Sequence, residues 1–441
     1  MKKYLIIYIL ALLIVTLFSC GVDYNDAYLP EVAKEGESDR TIITLGVINT
    51  IPHYEVDYTM HYVLGFNAEN DCYRIEVVNY AGDDLIRLRT ELLSGRGPDI
   101  LYSLYFNSHI LSPLLNRGML VDLIPYIDTD PDISRKDFFQ NILESMQSPD
   151  GCLQLVANQF WIYTLISIPK IVDDLDAFTT TKFLELTQSA LNNGIDYPFG
   201  EYWTRNEFLN FMFSQVDIGI IDLGNGVSNI ESSMFYDILE LASFLPEEFA
   251  PESGYSRSAR IIRGEQFFEF ERLENPYTFS KYETLLGDFV ILGIPSNNGG
   301  VHGAFMRSNI AINASSDHKD AAWDFVRRYL LRDAKVVDNR EIPTGLPIRI
   351  DLFNEQVEEA MKREWVLVDN GIQIEMRPQT VEGASKLREL IDNISYISRP
   401  NEEIANMIME EIAHFFEGRR TKEEVARVLQ NRVQIYLHER N

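Results

Sequence analysis

Order in this chain begins with Thr41-Ile-Ile-Thr-Leu-Gly-Val-Ile48, a run of β-branched and aliphatic residues that predicts a buried strand. The following pattern predicts a helix over 58–70, a strand over 73–80, a helix ending at Leu93 and a short strand over 99–102. Strands that alternate with helices are typical of an α/β fold with a mostly parallel sheet. Further strands are predicted over 160–168, 266–270, 289–294 and 306–313, and the C-terminal third is predicted to be helical.

The N-terminus has the pattern of an export signal. Lys2 and Lys3 precede the uncharged run 5–18, and Cys20 follows directly. A basic head and an apolar stretch too short to span a bilayer predict a secretory signal. The Cys at its end resembles the lipobox of bacterial lipoproteins, which implies that the Cys20 thiol carries the lipid, palmitate included. Phe18 departs from the small residue usual in that motif, and an ordinary secreted protein with an incidental Cys20 is the alternative.

Composition restricts the class of the body that follows. The formal net charge of −28 argues against nucleic acid as a partner, because phosphate binding needs basic surface. About 420 residues exceed what one hydrophobic core usually serves, so two lobes are expected. Segment 21–40 is polar and predicts a flexible tether. Cys72 and Cys152 are too few for a disulfide framework, and we expect free buried thiols, with mutual pairing as the alternative.

Several segments resemble, in order and spacing, the extracellular solute-binding proteins of bacterial ABC importers, especially the sugar- and oligosaccharide-binding group (family 1 type). They are Gly97-Pro-Asp-Ile100 with the turn at 115–123, the stretch from Asp150-Gly151 to Trp161-Ile-Tyr163, Ala311-Ile-Asn-Ala-Ser-Ser with the helix to Phe325, and the tail at 415–426. The resemblance implies a periplasmic-binding-protein-like fold with two lobes, each a mostly parallel sheet flanked by helices. It also implies a ligand cleft between the lobes. We assign 41–157 plus 301–346 to lobe 1 and 158–300 plus 347–441 to lobe 2.

Candidate ligand contacts from the first lobe are aromatic and polar side chains in loops that follow strands, where open α/β sheets bind ligands. From the second lobe they are aromatic residues at the crossover strand and in the stretch 200–205. Sugars stack their C–H faces on aromatic rings and bond their hydroxyls to polar groups. The residues chosen on this basis are Tyr54, Glu55, Asp99, Tyr102, Phe106, Trp161, Tyr163 and Trp203. For each aromatic residue core packing is the alternative, and Asp99 could instead orient its own loop.

No catalytic or metal motif accompanies these residues, so neither a cofactor nor a metal is expected. Asp128-Thr-Asp-Pro-Asp132 lacks the Gly and Glu that a calcium loop requires. The sequence therefore predicts a non-enzymatic, monomeric lipoprotein on the outer face of the cytoplasmic membrane or in the periplasm. It would deliver a carbohydrate to the permease subunits of an ABC transporter. The alternatives are a binder of a peptide, polyamine or other polar solute, an occupancy sensor for a membrane kinase, and an extracellular carbohydrate-active enzyme.

Overall fold

A computed structural model describes residues 40–49, 54–172, 177–214, 219–222, 225–250, 257–331, 345–369, 372–398 and 401–440. The signal segment, Cys20 and nearly all of the predicted tether lie outside these ranges. None of the described helices has both the length and the hydrophobicity needed to cross a bilayer.

The described strands form one large sheet and two small hairpins. In chain order they are β1 Thr41–Asn49, β2 Tyr73–Ala81, β3 Ile100–Ser103, β4 Val156–Ser167, β5 Ile221–Asp222, β6 Val227–Ser228, β7 Glu269–Leu273, β8 Val290–Gly293, β9 Gly303–Ile312, β10 Leu346–Pro347, β11 Trp365–Asp369, β12 Ile372–Met376 and β13 Tyr396–Ile397. The large sheet has the order β10-β4-β9-β3-β1-β2, with β7 and β8 also on β4 and β13 also on β9. β5 pairs with β6, and β11 pairs with β12.

The large sheet is mixed, whereas the sequence predicted mostly parallel strands. β1 pairs with β3, and β13 with β9, in parallel. β9 runs antiparallel to both β3 and β4, and β7, β8 and β10 are also antiparallel to β4. The difference arises because β4 and β9 are long strands that pair with several partners from distant parts of the chain.

The helices cover the sheet and fill the ends of the molecule. They are α1 Tyr54–Glu69, α2 Asp84–Leu93, α3 Ser108–Asn116, α4 Ile124–Thr129, α5 Gln140–Met146, α6 Pro169–Val172, α7 Thr180–Asn192, α8 Arg205–Ser214, α9 Ser233–Ala242, α10 Arg257–Ile262, α11 Thr278–Leu285, α12 Lys319–Leu331, α13 Ile350–Ala360, α14 Val381–Asp392, α15 Glu402–Phe416 and α16 Lys422–Arg440. The predicted βαβαβ beginning is confirmed, with strand ends within about two residues.

Side chains alternate between two layers around the first strands. Ile43, Leu45 and Val47 of β1 join a large core with α1 and α12, while Ile48 faces a smaller core with α2 and α3. This alternation follows from the period of two in a strand. It explains why the segment is hydrophobic on both faces, as covered parallel strands are.

A second large core lies around α7, α8, α9, α15 and α16. Ile404, Ile408 and Ile412 of α15 share one face of the helix at a spacing of four and are buried in this core. Thr421 opens α16 with a capping box: the Glu424 carboxylate accepts from the Thr421 backbone N–H at 2.9 Å, and the Thr421 hydroxyl accepts from the Glu424 N–H at 3.2 Å. Such reciprocal bonds satisfy backbone donors that a helix start leaves open.

Residues 345–398 contribute to the first core rather than the second. Phe353 of α13 and Leu387 and Ile391 of α14 belong to the same buried cluster as side chains of β1 and β4. The predicted division into lobes, which assigned 347–441 to lobe 2, stays a prediction.

Local features complete the fold. Asp83 stands at the start of α2, but its side chain makes no capping hydrogen bond. Cys72 and Cys152 are both free as expected, but neither is fully buried: Cys72 is exposed and Cys152 is partly exposed. Gly151 adopts a φ of 85°, which suits glycine in the turn over 148–151.

Candidate functional site

The strand β4 connects the two large cores and has two chemically different faces. Phe160 and Ile162 point into the first core, and Leu165 joins the second. The alternate positions Gln159, Trp161 and Tyr163 share the opposite face from Phe160 and Ile162, because strand side chains alternate. Gln159 and Tyr163 carry polar groups, which a strand packed only against apolar side chains would not need.

Neighbouring strands add residues to the Gln159–Trp161–Tyr163 face. Gln159 lies opposite Arg307, and Trp161 lies opposite Phe305, both on β9. Tyr163 lies opposite Arg272 on β7. Residues directly opposite each other in a sheet share a face, so the register brings these six side chains to one surface.

Five rings form a continuous aromatic stripe on this surface, which we define as Tyr105, Trp161, Tyr163, Phe270 and Phe305. Trp161 stacks on Phe305 at a centroid separation of 6.1 Å and a 12° angle, and Tyr105 lies 5.7 Å from Trp161. Tyr163 stacks on Phe270 at 5.3 Å and meets Phe305 edge-on at 5.6 Å. Tyr105, Tyr163, Phe270 and Phe305 are only partly buried, so the stripe retains accessible ring surface.

Two arginines lie over Trp161. The Arg272 guanidinium carbon is 4.1 Å from the Trp161 ring centroid, and that of Arg307 is 5.4 Å away. Cations are attracted to the negative face of an indole ring. Trp161 is therefore only 3% exposed, whereas the side chain of Arg272 is 44% exposed. Access to the face of Trp161 that Arg272 covers requires Arg272 to move.

A carboxylate completes the group. Glu274 pairs with Arg272 at 2.6 Å. Burial raises the pKa of Glu274, against the opposing influence of the Arg272 guanidinium. Burial also raises the pKa of the Tyr163 hydroxyl, although Arg272 again opposes the shift. Tyr163 therefore presents a neutral hydroxyl, able to donate and accept, beside a charged guanidinium–carboxylate pair.

The backbone beside Arg307 is held in an uncommon conformation. Ser308 has a φ of 61°, which is rare for a residue other than glycine. Its N–H donates to the carbonyl of Leu104 at 2.7 Å, and its own carbonyl accepts from the Tyr329 hydroxyl at 2.7 Å. Such conformations persist where surrounding contacts overdetermine them, and they concentrate at functional sites.

Of the predicted contacts, Trp161 and Tyr163 belong to the stripe and Trp203 adjoins it. The Trp203 ring lies 5.6 Å from Phe270 and 5.1 Å from Phe199. Phe270 thus joins the side chains predicted from β4 to the one predicted from the segment before α8.

Asp99 is used to hold the sheet. Its carboxylate accepts from the Thr44 N–H at 2.8 Å, from the Thr44 hydroxyl at 2.7 Å and from the Ser316 hydroxyl at 2.6 Å. Burial alone would raise the pKa of Asp99, but the hydrogen bonds from Ser316 and Thr44 outweigh it and lower that pKa. Through these bonds the Asp99 carboxylate links the start of β3 to β1 and to the turn before α12.

Other predicted contacts lie elsewhere. Tyr102 is 1% exposed in the first core, where its hydroxyl meets the Ser308 hydroxyl at 3.3 Å. Phe106 packs partly buried against the small core of α2 and α3. Tyr54 and Glu55 open α1, and their side chains lie outside what the structure describes.

Sequence reasoning missed Phe305, Arg307, Phe270, Arg272 and Glu274. A signal was present in β9, where Phe305, Arg307 and Asn309 alternate with hydrophobic or small residues. Alternation in a strand predicts two unlike faces. Which of these faces lies on the same side of the sheet as Trp161, and in what register, depends on pairing between residues 148 positions apart.

Comparison with solved structures identifies the fold. A sugar-binding protein, MalE from Xanthomonas citri, superimposes with a TM-score of 0.55 at 14% identity, covering 91% of this chain and 98% of its own. The fold is that of solute-binding proteins. A substrate-binding protein of an ABC transporter from Listeria monocytogenes, in complex with cycloalternan, matches with a TM-score of 0.52 at 16% identity over 91% and 100%. A cyclic α-maltosyl-1,6-maltose-binding protein from Arthrobacter globiformis matches with 0.53 at 15% over 91% and 100%.

These matches establish the fold and confirm its predicted α/β, two-lobed class. No family model and no curated relative matches the sequence. Across the described ranges, no three His, Cys, Asp or Glu side chains gather as a metal site would require.

Proposed function

We propose that the protein captures a carbohydrate outside the cytoplasmic membrane and delivers it to the permease of an ABC importer. The observation that carries this proposal is the stripe of partly exposed rings beside Arg272, Glu274 and Arg307. Rings that stack on C–H faces, with charged and polar groups at their edge, are the chemistry by which proteins bind sugars. The neighbours named above support it: one is a sugar-binding protein, one is an ABC substrate-binding protein in complex with cycloalternan, and one is a cyclic α-maltosyl-1,6-maltose-binding protein.

In this proposal the lobes form around the two large cores, and the cleft between them lies over the stripe. Residues 345–398 then belong with the first lobe, because α13 and α14 pack there. β4 passes from one core to the other with the stripe on one face. A ligand on the stripe would contact side chains that move with either lobe, and two-lobed proteins close through such contacts.

The rings favour a sugar over the alternative solutes. A polyamine would need carboxylates facing its charges, yet Arg272 and Arg307 both lie within 6 Å of the Trp161 centroid. A peptide that binds by adding a strand to a sheet would need an open strand edge, whereas β4 is paired on both sides. We propose a binding rather than a catalytic role, and attachment through a lipid on Cys20.

Calorimetric titration of the protein with maltose, maltotriose, spermidine and a tripeptide tests the proposal. We expect saturable binding for at least one saccharide, and loss of it in Tyr163→Ala, which removes a ring and a hydroxyl from the stripe. Tyr202→Ala is the matched control, because Tyr202 is 44% exposed and contacts Phe249 outside the stripe.

A saccharide that binds equally well to both variants would contradict the assignment of the stripe. Binding of spermidine or the tripeptide, with no response to a broad saccharide panel, would overturn the carbohydrate proposal itself.

A further inference from the structure

A pocket that shares no lining residue with the stripe opens beside β8. It has a volume of about 600 Å³ and lies between α11, α14, β8 and the chain that enters β9. Ile291 and Val290, two of its lining residues, pair with Ile166 and Ser167 near the end of β4. The pocket is therefore distinct from the stripe, whose residues on β4 are Trp161 and Tyr163.

The floor of this pocket is apolar and aromatic. Phe279 and Phe289 line it with their ring centroids 5.8 Å apart, and Ile291, Val301 and Leu390 complete it. Phe279 and Leu390 belong to the packing of the first core, whereas Val301 packs against the second. The walls therefore come from both cores, and an occupant would contact both.

The rim carries polar groups without a dominant charge. Lys386 and Glu389 bring opposite charges, and Lys386 already pairs with Glu382 at 2.8 Å. Asn393, Ser395 and His302 contribute neutral hydrogen-bonding groups. Burial lowers the pKa of His302, so its imidazole is neutral at pH 7. Its Nδ1 makes no hydrogen bond within the described part of the chain.

We infer that this pocket is a second ligand site, for an uncharged molecule of one or two rings that carries a single hydroxyl or N–H group. A volume of this size suits a small organic ligand, and such pockets combine an apolar lining with a few polar groups that fix orientation. An acid or an amine would have to bury its charge against the apolar floor, which is costly without a partner, and Lys386 is already paired with Glu382. A flat ring fits between the aromatic floor and Leu390, and its polar group meets the neutral rim.

Titration with indole and phenol, beside benzoate and benzylamine as charged counterparts, tests the inference. We expect saturable one-to-one binding of indole or phenol. The charged compounds should bind at least about fivefold more weakly, which is the order of difference expected when one polar group is left without a partner. Leu390→Trp fills the pocket and should weaken binding at least about tenfold. Ser385→Trp is the matched control, because it places the same side chain on an exposed position of α14 that does not line the pocket.

A second variant, Ser395→Trp, blocks the exposed rim and keeps the test valid if Leu390→Trp does not fold, as a melting curve would show. The inference is overturned if neither indole nor phenol shows saturable binding, or if both bind Ser385→Trp and the two blocking variants equally. Displacement of indole by a saccharide that also needs Tyr163 would assign the indole site to the stripe instead. Failure of saccharide binding would leave the indole result unaffected, so the two proposals fail separately.

Discussion

Replacement of Trp161 by alanine is the sharpest perturbation of the stripe. The ring is 3% exposed, stacks on Phe305 at 6.1 Å and lies beneath the guanidinium of Arg272 at 4.1 Å. Truncation of a buried aromatic side chain typically costs about 3–5 kcal/mol of stability. Because the Trp161 ring is almost fully buried, we expect a loss within that range. The proposed stacking with a sugar adds a separate loss of affinity, at least about tenfold.

Denaturant unfolding gives the first quantity, and calorimetric titration of the saccharide identified as ligand gives the second. Trp323→Ala is the control, since Trp323 is also buried, at 7% exposure, but lies on α12 in the first core. It should lose comparable stability and keep its affinity. Trp161→Phe retains a ring and should lose less of both quantities.

Equal saccharide affinity in Trp161→Ala and Trp323→Ala would refute the reasoning. Trp161 would then be a packing residue, and the ligand would contact only the outer rings of the stripe.

Three further predictions concern neighbouring features. Arg272→Ala should tighten saccharide binding about fivefold in a calorimetric titration. The exposed cation–π contact and ion pair of Arg272 together contribute about 1 kcal/mol, and in the variant they no longer compete with the saccharide for the Trp161 face. Weaker binding would show that Arg272 bonds the ligand instead. Asp99→Asn should destabilise the protein most near pH 6, and the difference from the parent should shrink towards pH 3. The pKa of Asp99 is lowered by folding, so its contribution is present above the unfolded value near 3.9 and is lost as pH falls through the folded value; a pH-independent difference in urea unfolding would contradict this. Cys20→Ala should abolish incorporation of a labelled fatty acid, and persisting label would refute attachment at Cys20.

The elements of this fold could largely be predicted from sequence because local patterns determine them. The hydrophobic run at Thr41–Asn49 predicts a strand, and a strand forms there. The spacing of Ile404, Ile408 and Ile412 indicates a helix in the same way. Strand direction could not be predicted in the same way. β9 lies between β3 and β4 and runs antiparallel to both, an arrangement that depends on contacts between distant segments.

The candidate site could be predicted only where a single position was informative. Trp161 and Tyr163 were found because they alternate on a strand-like run that links two parts of the chain. Asp99 was a weaker choice, since a carboxylate after a strand serves equally well as a hydrogen-bond acceptor for its own scaffold, and Thr44 and Ser316 occupy it here. Arg272 and Arg307 carried no local signal, because their position over Trp161 results from pairing across three strands.

The central position of β9 also has a consequence for how the chain folds. Tyr102 and Ser308, which meet in the first core, are 206 residues apart, and Gln159 and Arg307 are 148 apart. Contacts between such distant residues close long loops before they stabilise anything, which slows folding. A fragment that ends before Gly303 would leave β3 and β4 without the strand between them. During synthesis the first core therefore stays incomplete at least until β9 has been made, and Leu387 and Ile391, which also belong to it, follow later still.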